Sequence, residues 1–369
     1  MKLFLIGLIL ITLSCNNSSD NDKILKKIRE VELSRDGFAS EFSTSQYLKY
    51  EEKEYILTMQ RGKKGINIFN METGLIEDQI SMPSGVLLGG FYAKNLDSIY
   101  VLPKYSFKIG ITGTNDTLIK YAIDLNVRQI VELSKKYNLG SVVELAPTVI
   151  SPFIVQNGKI YITNMVNPDF NLNEQKPFFI INLADTSIYT MAVHYPRDFE
   201  QSGKTIIPFH FMSFCRNMND QAIFSFMIDH NLYVYDDNKT NFSVYKCASK
   251  YITELPQQQK INSIDDNVNQ RLIEEAYYTR VFYDRYRSLY YRIAKHSEEY
   301  KDQNGLINID NFNYSILVID SAFKVIGEQV FNNKEFSANS MIVTQDGIML
   351  KYNNLDEDEV KFALFDVIL

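Results

Sequence analysis

Short apolar or aromatic triplets recur six times along the chain, as Tyr55-Ile56-Leu57, Ile99-Tyr100-Val101, Ile160-Tyr161-Ile162, Ile223-Phe224-Ser225, Leu289-Tyr290-Tyr291 and Ile348-Met349-Leu350. A polar turn precedes each of them, at Glu51 to Glu54, Asn95 to Ser98, Gln156 to Lys159, Asn217 to Gln221, Asp284 to Ser288 and Gln345 to Gly347. Turns of this kind join antiparallel hairpin strands. A second alternating run follows each triplet: Ile66 to Phe69, Leu118 to Asp124, Phe178 to Leu183, Leu232 to Tyr235, Tyr314 to Asp320 and Val360 to Phe365. Five third runs come next, at Ile76 to Ser81, Gln129 to Leu133, Ile188 to Val193, Phe242 to Cys247 and Val325 to Phe331. The period is about sixty residues, longer than familiar propeller repeats, so insertions make up the excess.

Four strands taken six times predict an all-β fold, a six-bladed β-propeller of four-stranded antiparallel blades whose radial repetition protects the sheet edges. The ends of the chain support this. The sixth repeat finishes at Leu369 without an outermost strand, while a spare strand, Ile28 to Leu33, precedes the first repeat. The N-terminal strand therefore closes the last blade. A sandwich or an α/β protein would not leave one strand spare at one end and missing at the other.

In such a ring the first-to-second and third-to-fourth turns open on one face, the turn face. The other connections open on the opposite, loop face. The long connections expected on the loop face are Ser34 to Ser45, Pro103 to Asp116, Ser134 to Pro147, Asn164 to Pro177, His194 to Phe209, Tyr251 to Glu275 and Lys295 to Asn313. Long loops on a rigid scaffold are where binding residues concentrate. One of them, Ile264 to Tyr278, carries Val268, Leu272, Ile273 and Ala276 at helical spacing after Asp265 and Asp266, and reads as a short helix laid on the ring.

The N-terminus has a different character. Met1 and Lys2 lead into an uncharged apolar run, Leu3 to Leu13, too short to span a bilayer. Leu13-Ser14-Cys15 ends it like a bacterial lipobox, although Thr12 replaces the usual large residue at −3. The reading is a lipoprotein signal over 1–14, a flexible tether over 15–26 and one propeller domain over 27–369. Two acyl chains and an acylated amine on Cys15 would anchor the protein stably to a membrane. Asp20 and Asp22 resemble the acidic stretch of surface-exported lipoproteins. The expected location is the bacterial outer membrane, with the loop face pointing away from it.

Composition narrows the function classes. The 369 residues are 45% apolar and 13% aromatic, with 24 Tyr, 24 Phe and no Trp, a mixture suited to half-buried strands. Because Tyr and Phe recur at the centres of blade strands, most of them are assigned to packing between blades. The net charge of −7 is dispersed, without a basic run, which argues against nucleic acid. Cys215 and Cys247 fall in the first and fourth strands of one blade, about 14 Å apart at the usual strand spacing, so two free buried thiols are expected.

The densest polar-aromatic stretch runs from Tyr277 to His296. Arg280 and His296 are expected near the loop-face mouth of the axial channel, with Tyr278 stacking below. His210 and His230 join them as candidate ligand-binding residues; His194 also falls near that face. The bland reading makes these Arg and Tyr side chains buried struts between blades, and Asp284 with Arg285 or Arg287 a turn ion pair. No His pairs with another His or Cys at ligand spacing, so neither a metal nor a cofactor is implied. Asp356 to Glu359 reads as a solvated acidic hairpin. Nucleophile elbows, phosphate loops and dinucleotide fingerprints are absent, so no catalytic residue is assigned.

The segment Tyr278 to Ile293, above all Phe282-Tyr283-Asp284, Tyr286 and Tyr290-Tyr291-Arg292, resembles the Bacteroidetes lipoprotein family catalogued as domain of unknown function 4221. That resemblance implies a six-bladed propeller tethered to the envelope, with no established activity and no site residues to carry over. The functional expectation is a membrane-anchored, non-catalytic binding or scaffolding module that engages a glycan, peptide or envelope protein through its loop face. The alternative is a glycan-active hydrolase or lyase at the channel mouth, which requires at least two of His210, His230, Arg280 and His296 to converge there.

Overall fold

The computed structural model describes residues 24–34, 40–60, 62–104, 108–114, 120–124, 151–163, 178–191, 193, 195, 211–236, 242–256, 266–299, 305, 307, 311–353 and 359–368. Its strands form six four-stranded antiparallel sheets set round one axis. The chain opens with β1 (Leu25–Ser34). Blade one is then β2 (Ser40–Tyr50), β3 (Lys53–Gln60), β4 (Gly65–Asn70) and β5 (Ile76–Ser81). Blade two is β6 (Leu88–Asn95), β7 (Ser98–Pro103), β8 (Lys108–Thr112) and β9 (Lys120–Asp124), and blade three is β10 (Ile154–Gln156), β11 (Lys159–Thr163), β12 (Phe178–Asn182) and β13 (Ile188–Thr190). Blade four is β14 (Met212–Arg216), β15 (Gln221–Phe226), β16 (Asn231–Asp236) and β17 (Phe242–Lys246). Helix α1 (Asp266–Glu274) leads to blade five, β18 (Tyr277–Asp284), β19 (Leu289–Lys295), β20 (Asn313–Ile319) and β21 (Val325–Asn332). Blade six is β22 (Phe336–Val343), β23 (Ile348–Tyr352), β24 (Glu359–Val367) and the returning β1, which pairs along β24 from Leu25 opposite Val367 to Ser34 opposite Glu359. The predicted closure by an N-terminal strand is what the structure shows.

Successive side chains of a strand point to opposite faces, and here both faces are buried between blades. In β3, Tyr55, Leu57 and Met59 enter the core shared with blade two, while Ile56 enters the core shared with blade six. In β19, Leu289, Tyr291 and Ile293 face blade six, and Tyr290 and Ala294 face blade four. Six apolar clusters result, one in each seam of the ring. This is why the triplets do not alternate with exposed polar residues: five are apolar or aromatic throughout, and the serine of the sixth, Ser225, is buried and accepts from Arg292. The aromatic surplus sits largely in these seams: Phe178 of blade three meets Phe214 and Phe224 of blade four edge-on, with ring centroids 4.7 and 4.9 Å apart.

Inner strands leave an edge of backbone N–H and C=O groups toward the axis, and such groups need partners. Side chains supply several. Gln46 on β2 grips Ala93 of β6 at both backbone atoms, 2.6 and 2.8 Å. Gln156 on β10 donates to Asn217 O, 3.1 Å, just beyond β14. Ser213 Oγ on β14 accepts from Val281 N of β18, 3.0 Å, and Arg280 of β18 donates to Asn339 O of β22, 3.1 Å.

The connections divide by face as expected. The strand ends joined on the turn face are separated by at most seven residues, whereas the widest separations, between Asp124 and Ile154, Thr163 and Phe178, Thr190 and Met212, Lys246 and Tyr277, and Lys295 and Asn313, join strand ends on the loop face. Three expectations need correction. The third strand of blade two is β8, inside the stretch read as a loop from Pro103 to Asp116, and the run ending at Asp124 is the fourth strand. A strand of five residues interrupted by Gly110 carries little local signal; the run Gln129 to Leu133 lies outside the described residues. The connection read from Ser34 to Ser45 is shorter, because β2 begins at Ser40 and carries a bulge between Glu41 and Ser45. The helix ends at Glu274 rather than Tyr278, since Tyr277 and Tyr278 pair with Lys295 and Ala294 in the sheet.

Candidate functional site

Strand β18 decides where the candidate residues go. A bulge between Tyr278 and Val281 breaks its alternation, so that Tyr278 and Val281, three apart, both enter the seam with blade four. Bulges re-aim side chains in this way. Arg280, two residues after Tyr278, would share its face in a regular strand. Instead it lines the axis and reaches blade six at Asn339.

In the seam between blades four and five the buried centre is Arg292, which is 0% exposed. Its guanidinium lies 3.4 Å from the centroid of the Tyr278 ring. It donates to Ser225 Oγ (2.9 Å) and to the carbonyls of His230 (2.9 Å), Cys247 (3.0 Å), Asp229 (2.5 Å) and Phe226 (3.4 Å). Above it the Tyr278 hydroxyl accepts from Ser249 N, 2.9 Å, and meets His230 Nδ1 at 2.7 Å. Burial, seconded by the Arg292 charge, holds His230 below the ordinary histidine range. Ser249 Oγ and Ser315 Oγ both donate to Glu328, each at 2.5 Å, and Glu328 in turn opposes the burial that lowers His296. His296 packs under the Tyr251 ring at 4.9 Å, and its Nε2 is buried without a hydrogen-bond partner.

Sequence reasoning therefore named two residues that the fold brings into contact, His230 and Tyr278, and one neighbour of the same polar cluster, His296. This cluster belongs to the seam rather than to the axis, and the strut reading fits Arg292 and Tyr278. His194, His210 and Asp356 to Asp358 lie outside the described residues. Ser249 and Glu328 were not anticipated, because nothing local marks them. Among the described residues no three His, Cys, Asp or Glu side chains are placed to hold a metal. Cys215 and Cys247 are free and buried, as the blade geometry requires.

The axis holds a cavity of about 1040 Å³. Among the described residues it is walled by the inner strands of blades one to five, with turn-face connections around Asn157, Leu183, Met218 and Arg285, and with Pro152 and Phe153 from the connection before β10. Among the described residues its charged wall members are Lys94, Arg216, Arg280 and Arg285, with the carboxylate of Asp220. Arg216 stacks 3.7 Å over the Tyr161 ring and lies 3.8 Å from Asp220, so it acts as a strut at the cavity's edge. Arg280 packs 4.5 Å over Phe282, and burial pushes its pKa down to about 9. Burial raises the Tyr92 phenol, and the Arg285 charge opposes that rise from blade five, on the far side of the ring from blade two. In the next turn Asp284, 0% exposed, accepts from Arg287 Nη1 (3.0 Å) and Tyr291 Oη (2.8 Å), while Arg287 continues to Gln345 O of blade six (3.0 Å). The turn ion pair is thus Asp284 with Arg287, which leaves Arg285 to the cavity.

Comparison with known proteins agrees with this architecture. The sequence model of the family described as Domain of unknown function (DUF4221) matches residues 36–330, most of the chain. A solved member of that family from Bacteroides vulgatus superposes with a TM-score of 0.77 at 18% identity, covering 94% of this chain and 99% of the other. A Bacteroides fragilis protein described as exported superposes at 0.54 and 12% identity, covering 95% and 98%. No curated protein matches the sequence. The chain belongs to the DUF4221 family.

Proposed function

We propose that this DUF4221 propeller is a lipid-anchored envelope protein that works as a non-catalytic binding module, taking its ligand into the axial cavity. The observation that carries the reading is the cavity itself: about 1040 Å³ of space at the axis, held open by inner strands that are cross-braced at Gln46, Gln156, Ser213 and Arg280. Small-molecule sites are of this size and are largely pre-formed by rigid walls. The sequence favoured the loop face, where the long connections gather; the described geometry favours the turn face, where the cavity opens. The anchor rests on the apolar run before Cys15 and on the structural likeness to an exported protein.

Two experiments test this. A Cys15→Ser chain expressed beside the wild type should leave the membrane fraction for the soluble fraction. If wild type and variant fractionate alike, the lipid anchor is wrong. A screen of glycans and peptides against the full chain in detergent should return ligands whose binding is lost when the bulky Met218→Trp change obstructs the cavity mouth. Turnover of any of those ligands would replace the binding reading by an enzymatic one.

A further inference from the structure

We propose that the axial cavity binds a small organic oxyanion of the sugar-acid type, its negative charge drawn in by the cations Lys94, Arg280 and Arg285 of the wall. This rests on the axial binding reading and adds the chemical class of the ligand.

The charge of the wall is the first argument. Among the described residues four cations and one carboxylate line the cavity, and that carboxylate is already engaged: Asp220 lies 3.8 Å from Arg216 and accepts from Gln156 (2.9 Å) and Asn157 (2.6 Å). The described wall thus carries an excess of positive charge inside a chain whose formal net charge is −7. A low-dielectric cleft lined by one sign of charge focuses the field and concentrates the opposite ion.

The placement of the cations is the second. Arg280 is 7% exposed and is set in the wall by the β18 bulge. Lys94 and Arg285 are exposed at the mouth, on blades two and five. Arg285 and Tyr92 line the same cavity from blades five and two. A planar guanidinium matches a carboxylate with two parallel hydrogen bonds.

The remaining wall gives the body of the ligand. Tyr92, Tyr100 and Tyr283 offer ring faces with polar edges beside the amide of Asn157. Such a surface suits a hydroxylated ring better than a bare inorganic ion, which would use the cations alone. The volume accommodates a disaccharide.

The test is isothermal titration of the full chain in detergent with digalacturonic acid, with the neutral galactose disaccharide and with inorganic phosphate. The acid should bind at least about tenfold more tightly than the neutral sugar and than phosphate, and should weaken as NaCl rises from about 50 to 300 mM. Lys94→Gln and Arg285→Gln, both exposed, should each raise its Kd about fivefold while leaving the melting temperature unchanged. Equal affinity for acid and neutral sugars, or no effect of either substitution, overturns the assignment while a cavity-dependent hit in the wider screen keeps the binding reading. Phosphate binding as tightly as the acid overturns the sugar-acid class. If neither the acid nor any compound in the screen binds, both readings fall together.

Discussion

Arg292→Met tests whether the seam between blades four and five is held by a buried cation or by apolar packing alone. The guanidinium is wholly enclosed and makes five hydrogen bonds, four of them to the carbonyls of Phe226, Asp229, His230 and Cys247. Methionine fills similar volume but donates nothing. Each acceptor left buried without a donor costs about 1–3 kcal/mol. Against that stands the desolvation of the guanidinium itself, several kcal/mol, which the substitution returns. The balance is a loss of about 4 kcal/mol, within the range for removing one partner of a buried charged cluster. For a ring of this size that corresponds to a fall in Tm of about 6–10 °C, readable by circular dichroism and by the urea midpoint. A second readout separates charge from packing: the His230 pKa, followed by NMR, should rise toward the ordinary value, because Arg292 is one of the causes that lower it. A Tm within about 2 °C of wild type, with the His230 titration unmoved, would falsify the strut argument.

Asp284→Asn removes the charge that holds Arg287 and accepts from Tyr291, so the urea midpoint should fall by the equivalent of about 2–3 kcal/mol; an unchanged midpoint would show that the turn keeps its shape without the ion pair. Lys295 is buried against the end of α1, where it donates to the carbonyls of Ile273 (2.7 Å) and His296 (2.7 Å), and burial pushes its pKa down to about 8 from 10.5, with Glu298 opposing. Its folded pKa is depressed, so below pH 8 the native state must bury a proton that the unfolded state holds freely. Stability should therefore rise between about pH 8 and 10, by on the order of 3 kcal/mol, and Lys295→Met should flatten that rise; a wild-type profile that is level or falling over this window contradicts the sign. Burial raises both Cys215 and Cys247, the latter to about 11, so neither thiol should react with a thiol reagent until urea unfolds the ring. Labelling of either in the native state would mean that its seam opens.

How much of this was legible along the chain depends on the range of the cause. The triplet around Tyr290 and its turn at Asp284 to Ser288 are local, so the strand and its hairpin were readable from propensity and turn chemistry. The β18 bulge is not local: it puts Arg280 on the cavity wall while Tyr278 enters the seam with blade four, although the two were expected together at the loop-face mouth. Strand β8, short and interrupted by Gly110, was missed because its place is fixed by the neighbours it pairs with. Ser249 and Glu328 meet His230 and Tyr278 only because blades four and five are neighbours.

The sequence by itself determined the six-fold repeat, the four strands per blade and the closure by β1, because each rests on a two-residue period and on strand arithmetic at the ends of the chain. Tertiary structure alone decided that much of the described cavity wall lies near the short turns, that Arg285 and Tyr92 both line it, and that His296 packs against Tyr251. The physical reason is that alternation assigns a side chain to one of two faces. Closing the ring then determines which neighbour that face meets and how far the inner strand leans toward the axis.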